Sequence, residues 1–381
     1  MNEYFLKKEY KFLYLNAFFY NFANALIETF GTVMLYKAGI PIYLILLIYD
    51  IRFLITGFIT PFFVTISNKI GIAKCLLISN VFSIINSYFM LNGGSLKTNI
   101  IIFILSMGLM GLSNPSSDAL SSKYVDNKNR GKFNSIYFIC KILGVVFASL
   151  FVTWTVVNNN TIFLFFLIVS FFILQYIMVL QIDYKPVKKS SPFKSAMKYL
   201  LHKKSSYKII YAFRTNHIIE RLFVPLYLYI VIKDFKAFSM VIIFSLLFQI
   251  VTITLIGKYT DKNITKANNL VSIIRIFITS IYLFAKNKII ISINKTASDN
   301  LEKVYETSVQ TSIQNIIKNS EEDKDLLAAV GQMSLCFTEV IILTILAIIT
   351  KFIGKNVFYI IFVMSIISTI VINLEVKKSE I

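Results

Sequence analysis

The sequence predicts an all-α membrane protein, with twelve transmembrane helices in two pseudo-symmetric six-helix halves. Three observations predict it: the balance of apolar and charged residues, the spacing of the apolar runs, and two short segments that each return once. Of 381 residues, 56% are hydrophobic and 15% charged, against roughly 45–50% and about 25% in an ordinary soluble domain. A water-soluble fold cannot hide that much apolar surface. One helical crossing of a hydrocarbon core takes roughly 20 residues, so a chain of this length holds about twelve crossings with short loops. That balance argues against a soluble enzyme, a nucleic-acid-binding domain and a secreted disulfide scaffold.

Apolar runs fall at 12–36, 42–66, 71–92, 98–122, 133–157 and 160–182, then at 207–232, 236–257, 267–285, 287–316, 326–350 and 355–374. The first is preceded by a lysine-bearing lead without a small-residue cleavage site, which reads as a cytoplasmic entry rather than a removed signal. The sixth and seventh runs are separated by Lys185, Lys188, Lys189, Lys194, Lys198, Lys203 and Lys204, with Pro186 and Pro192 interrupting any continuous helix. The expected division is therefore an N-terminal half over 1–182, a basic cytoplasmic linker over 183–206 and a C-terminal half over 207–381.

The net charge of +19 sits in short stretches between apolar runs, so it reports topology rather than a nucleic-acid partner. Lys69, Lys74, Lys123, Lys128, Arg130, Lys132, the linker, Lys258, Lys262 and Lys266 share one side with both termini when alternate loops are assigned to it. The expected location is the cell membrane, multi-pass, with both ends cytoplasmic. Cys75, Cys140 and Cys336 are odd in number, far apart and inside apolar runs, as small core residues are. No cofactor and no metal are expected.

The repeat supplies the two halves. Asn24-Ala25-Leu26-Ile27-Glu28 in the first run returns as Asn216-His217-Ile218-Ile219-Glu220 in the seventh, 192 positions on. Ser67-Asn68-Lys69-Ile70 after the second returns as Thr260-Asp261-Lys262-Asn263 after the eighth, 193 positions on. Parallel six-span halves are a transporter architecture, with the binding site near the midplane where they meet.

These loop residues carry a resemblance to the major facilitator superfamily over essentially the whole chain. The family's loop between spans two and three has a Gly, three residues, an Asp, a basic residue, one residue, a Gly and further basic residues. Here the first copy reads Val64, Asn68, Lys69, Gly71 and Lys74, and the second reads Gly257, Asp261, Lys262, Ile264 and Lys266. Arg130-Gly131 at the entry to span five adds to the likeness. The resemblance implies a loop that steadies one face of an alternating-access cycle, with Asn68, Lys69, Asp261 and Lys262 as gating candidates. Met107 stands where proton-coupled drug antiporters have an Arg, and span five reads Gly144-Val145-Val146-Phe147-Ala148 without the antiporter Gly-Pro. The standard drug-antiporter mechanism is therefore not implied.

An ionisable residue in the middle of a span is costly unless it faces protein or water, which makes each one a functional-site candidate. Asn21, Asn24 and Glu28 lie on one side of span one, and Asn216 and Glu220 repeat that side in span seven. The resemblance places spans one and seven at the central cavity, with Glu28 and Glu220 across it from each other. The plainer alternative is a structural bridge from either glutamate to Lys141, Arg214 or Arg221. In span ten, Lys295, Asp299, Glu302, Glu306 and Gln310 share one side. They predict a polar wall of a translocation path; the alternative is an interfacial segment that leaves eleven spans. Asp118 and Lys141 are candidates for a gate or bridge between neighbouring helices. Asp50, Arg52 and Glu339 could be packing pairs or path residues, and His217 reads as a satisfied cavity histidine rather than a metal ligand.

The function expected is secondary active transport of a small polar or charged solute, without ATP hydrolysis, since no GxxxxGK[ST] loop occurs. Expected partners are a small-molecule substrate, a proton or other coupling ion and the lipid bilayer. Export comes before nutrient import as the direction, and a receptor or scaffold of the same fold that no longer cycles is the alternative class. Enzymatic activity is not expected, because no cluster of nucleophile, base or metal ligands shows near either interface.

Overall fold

The computed structural model describes residues 8–92, 99–111, 130–182, 204–260, 264–285, 287–302 and 324–378. They form helices joined by short turns, with no strand among the described residues. Before residue 183, a part referred to below as the N-terminal half, these are α1 (Lys8–Glu28), α2 (Gly31–Lys37), α3 (Ile42–Ile70), α4 (Ile72–Leu91), α5 (Ile100–Met110), α6 (Arg130–Val157) and α7 (Thr161–Leu180). After residue 203, the part referred to as the C-terminal half, α8 (Lys204–Ile218) passes through a π-helical turn (Ile219–Phe223) into α9 (Val224–Ile232). Then come α10 (Phe235–Thr260), α11 (Ile264–Phe284), α12 (288–302), α13 (Lys324–Ile353) and α14 (Val357–Lys378).

Six stretches among the described residues are long and apolar enough to cross a membrane. The last of them, Gln332–Leu374, runs through the short 3-10 turn Gly354–Asn356 and so takes in both α13 and α14. Large apolar side chains on the outer faces stay uncovered, among them Ile101, Ile162, Phe166, Phe244 and Phe277. Side chains of this kind exposed along whole helices mark a surface solvated by lipid rather than water. The chain is a multi-pass membrane protein.

The central element of the N-terminal half is α1, which packs along α6 and α7. Its approach to α6 is set by Gly144: a Cβ there would stand 2.4 Å from the Phe18 carbonyl oxygen. Phe22 of α1 stacks on Phe171 of α7 at 3.7 Å between ring centroids. A buried amide chain ties the same half together, with Asn80 donating to Gln175 (2.5 Å) and Gln175 to Asn16 (2.8 Å). In the C-terminal half, α14 packs against α8 and α11.

The halves meet along two helix pairs, α3 with α13 and α6 with α10. They also close on each other at the end reached by α2 and α9. There Phe30 contacts the rings of Phe235 and Phe238 at 5.8 and 6.0 Å, Tyr36 faces Tyr229 at 6.4 Å, and Lys37 lies over Phe235. One apolar core containing Phe30, Val33, Leu226 and Phe238 runs across both halves at that end. The described core at the opposite end, around Tyr10, Tyr14, Ile72 and Phe133, belongs to the N-terminal half alone.

Candidate functional site

Spans one and seven are both interrupted at their repeated glutamates. In span one α1 ends at Glu28, and the Phe30 amide reaches back five residues to the Ala25 carbonyl. Gly31 follows because a Cβ there would meet the Tyr49 hydroxyl at 2.5 Å. In span seven Glu220 lies inside the π turn, and the Val224 amide bonds to the Ile219 carbonyl, again five residues back. Pro225 accounts for the turn: without an N–H, and with its ring against the preceding carbonyls, it cannot continue a regular α-helix. π turns inside helices are frequent at functional sites, and interrupted spans at corresponding points of two halves are a transporter's usual ligand-facing elements.

The two glutamates nonetheless meet different partners. Glu28 turns outward from its own half. Its Oε1 accepts from Arg52 at 2.6 Å, and its Oε2 is bound by Arg221, which comes from span seven across the junction. Arg214 of α8 lies 3.5 Å from Glu339 of α13. The charges of Arg214, Arg221 and Arg52 all reach Glu339. The junction thus holds a five-member network from both halves: Glu28, Arg52, Arg214, Arg221 and Glu339. Glu28 and Arg221 keep 21% and 38% side-chain exposure, against 6% for Arg52 and 4% for Glu339. Beside the network a second link crosses the junction, with the Thr344 hydroxyl donating to Asp50 at 2.9 Å.

Glu220 turns into its own half. Its Oε1 accepts from Ser298 at 2.7 Å and from Arg275 at 3.3 Å, while Lys295 stands 4.0 Å from its Oε2. Lys295 also binds Asp299, one helical turn on, and Asp299 accepts from Ser245 of α10. Arg275 is fully buried, and Glu220, Lys295 and Asp299 are nearly so. Ligand oxygens of Glu220, Asp299 and Glu302 lie within 4.8 Å of one another. These three could hold a divalent cation, but Lys295 and Arg275 already compensate two of the carboxylates, so an ion would have to displace Lys295.

The remaining sequence candidates are placed as follows. Asn24 is buried and donates to Tyr20 within its own helix. Asn216 is bound on both sides by α14, donating to Thr369 at 3.1 Å and accepting from Ser365 at 2.8 Å. Glu302 is half-buried at the end of the described part of span ten. Lys141 lies over the rings of Tyr137 and Phe138. Lys69 is exposed in the last turn of α3, which also contains Asn68. Asp118, Asp261, Lys262, Glu306 and Gln310 lie outside the described residues. Sequence reasoning did not single out Arg275, Ser245 or Ser298. Arg275 had a readable signal, since it stands in the middle of the apolar run 267–285.

The comparisons agree with this architecture. Residues 13–292 match the family profile described as Major Facilitator Superfamily. A crystal structure of a bacterial homologue of the iron transporter ferroportin, in an outward-facing state, aligns with a TM-score of 0.69 at 10% sequence identity, covering 98% of this chain and 100% of that one. A second structure so described, with soaked iron, aligns at 0.64 and 11% identity over 97% and 99% of the two chains. No curated protein matches the chain. At such identities the structural likeness is one of fold, whereas the profile takes in most of the sequence, and on that ground the chain belongs to the major facilitator superfamily of membrane transporters.

Proposed function

We propose that the chain is a twelve-span secondary transporter, with halves over 1–182 and 207–381 that rock about a central site, moving a small charged solute by alternating access. The observation that carries this reading is the pair of interrupted spans, each broken at a repeated glutamate held by arginine. With both termini cytoplasmic, the closed end at Tyr36 and Tyr229 is the outer gate and the chain is in its inward-facing form. Rocking to the other form requires the Glu28–Arg221 link to be remade. A proton or the solute is then the natural replacement partner, which makes Glu28 the leading coupling residue and Glu220 the second. The resemblance favours export over import. A divalent cation as cargo is the second reading, favoured by the Glu220, Asp299 and Glu302 oxygens and by the soaked iron named for a structural neighbour.

The test is sided thiol labelling. His217 is half-buried in α8 between Arg214 and the π turn that carries Arg221, so His217→Cys, in a chain whose three cysteines are replaced by serine, is the reporter for the space between the halves. In sealed vesicles a cycling transporter is labelled by a membrane-impermeant reagent applied from either side, and an imposed pH gradient shifts the balance. Labelling from one side only means a locked scaffold. A pH-gradient response that survives in both Glu28→Gln and Glu220→Gln removes the proton from the mechanism.

A further inference from the structure

We propose that the junction network is a binding site for a small anionic solute, a carboxylate or phosphate, which takes Arg221 away from Glu28 and so releases the link between the halves. The inference rests on the transporter reading above and names its substrate class.

Two features point to an anion. The first is an unused donor. Arg214 meets Glu339 at 3.5 Å, at the outer limit of a hydrogen bond, and its Nε is buried without an acceptor. A buried donor in that condition is costly and marks a place for an absent acceptor. The second is which members are open. Arg221 and Glu28 are the network's most exposed groups, and Arg214 and Arg221 both enter it from span seven. Two guanidinium groups in one network can bind two oxygens of one carboxylate or phosphate.

The same geometry explains release. Glu28 has two arginine partners, one in its own half and one across the junction. If a solute anion takes Arg221, Glu28 keeps Arg52 and is not left as an uncompensated charge in the membrane. The cost that normally opposes breaking a buried ion pair is largely avoided. Arg221 likewise never loses an anionic partner. The anion and Glu28 are thus competitors for one cation, and the link between the halves breaks only when the solute is present. A cationic solute would have the opposite relation: it would need Glu28 and be repelled by Arg221.

Competition gives the experiment its sign. The purified full-length protein is titrated with succinate and with inorganic phosphate at constant ionic strength, with choline and Mn²⁺ as cationic probes, and the unfolding temperature is followed. At least one of the anions is expected to stabilise the protein. Glu28→Gln, which removes the competitor, should bind that anion more tightly by on the order of tenfold, the contribution of one charge-assisted hydrogen bond. Arg221→Gln should lose the response and Arg221→Lys should keep a weakened one. Where Glu28→Gln does not yield folded protein, Glu28→Asp, with a shorter reach to Arg221, should also tighten binding. Weaker anion binding in the Glu28 variant, an unchanged response in Arg221→Gln, or silence of both anions on wild type and Glu28 variant each overturns the proposal. So does stabilisation by Mn²⁺ alone. If the His217→Cys chain is still labelled from both sides, any of these failures leaves the transporter reading standing; labelling from one side removes both.

Discussion

Glu28 and Glu220 occupy the same place in a repeated sequence and the same place in an interrupted span, yet one joins the halves and the other binds its own half together. Glu28 is a fifth exposed and reaches Arg221 across the junction. Glu220 is sealed among Arg275, Ser298 and Lys295. The difference lies in what surrounds them. Shifting Arg275, Lys295 and Asp299 back by 192 positions gives Ser83, Phe103 and Met107, so the N-terminal half has no charged residue at the matching places on its third and fourth spans. Glu28 therefore finds partners elsewhere: at Arg52 on its flank and at Arg221 on the facing half. An equivalent residue in a duplicated fold thus becomes a fixed support or a changeable contact according to whether all of its counter-charges come from its own half.

The sharpest way to break this comparison is to remove one arginine from each side of it. Arg275→Met leaves Glu220 buried and short of a cation, and loss of one partner from a buried pair costs about 3–5 kcal/mol. A large fall in unfolding temperature is expected, partly restored by adding Glu220→Gln. Arg52→Met leaves Glu28 with Arg221 and with water, and should cost about 1 kcal/mol, in the range of a partly exposed pair. Equal losses in the two variants would mean that both glutamates are structural supports.

Packing of the same two spans gives a second contrast, with a smaller effect. Gly144 lets α6 approach the backbone of α1, while the position 192 residues on is Cys336, whose Cβ side is turned to Gly57 of the facing half. The contact of α1 with α6 is correspondingly more extensive than that of α8 with α13. Gly144→Ala must push apart two backbones rather than a flexible side chain, and should destabilise by about 1–3 kcal/mol. An unfolding temperature equal to wild type would show that α1 and α6 are not held at this distance.

Much of this was open to sequence reading, for identifiable reasons. The apolar runs and the Asn24/Glu28 and Asn216/Glu220 repeat expose the duplicated fold, because burial in lipid constrains composition along entire helices. In the tenth apolar run the spacing of Lys295 and Asp299 showed a common side, but not that this side is packed against Glu220 and Ser245. The partners were not legible. A projection at 100° per residue assigns a face but not the half it addresses, so Arg214 and Arg221 remained equal candidates for Glu28. Asn216 illustrates the same limit: the projection put it on the side of Glu220, yet its amide is taken up by Ser365 and Thr369 of α14. The π turn was foreshadowed only by Pro225, five residues after Glu220, and a proline alone does not say whether a span kinks, ends or widens.

The weakest link across the junction offers the finest test of which contacts hold the closed end. Thr344 donates to Asp50 from α13 to α3, the helix pair along which the halves meet, on the gate side of the arginine network. Thr344→Val keeps the shape of the side chain and deletes only the donor, so the fold should lose on the order of 1 kcal/mol. The effect of interest is on the balance between the two forms rather than on unfolding. If the bond exists only when this end is closed, its loss shifts that balance by about fivefold, and His217→Cys should be labelled correspondingly faster from the side of Tyr36 and Tyr229. Arg221→Gln, which removes the stronger link, should shift the labelling in the same direction by more. Should Thr344→Val change the unfolding temperature without changing sided labelling, the Asp50 bond persists through the cycle, and the changeable part of the junction is confined to Glu28 and Arg221.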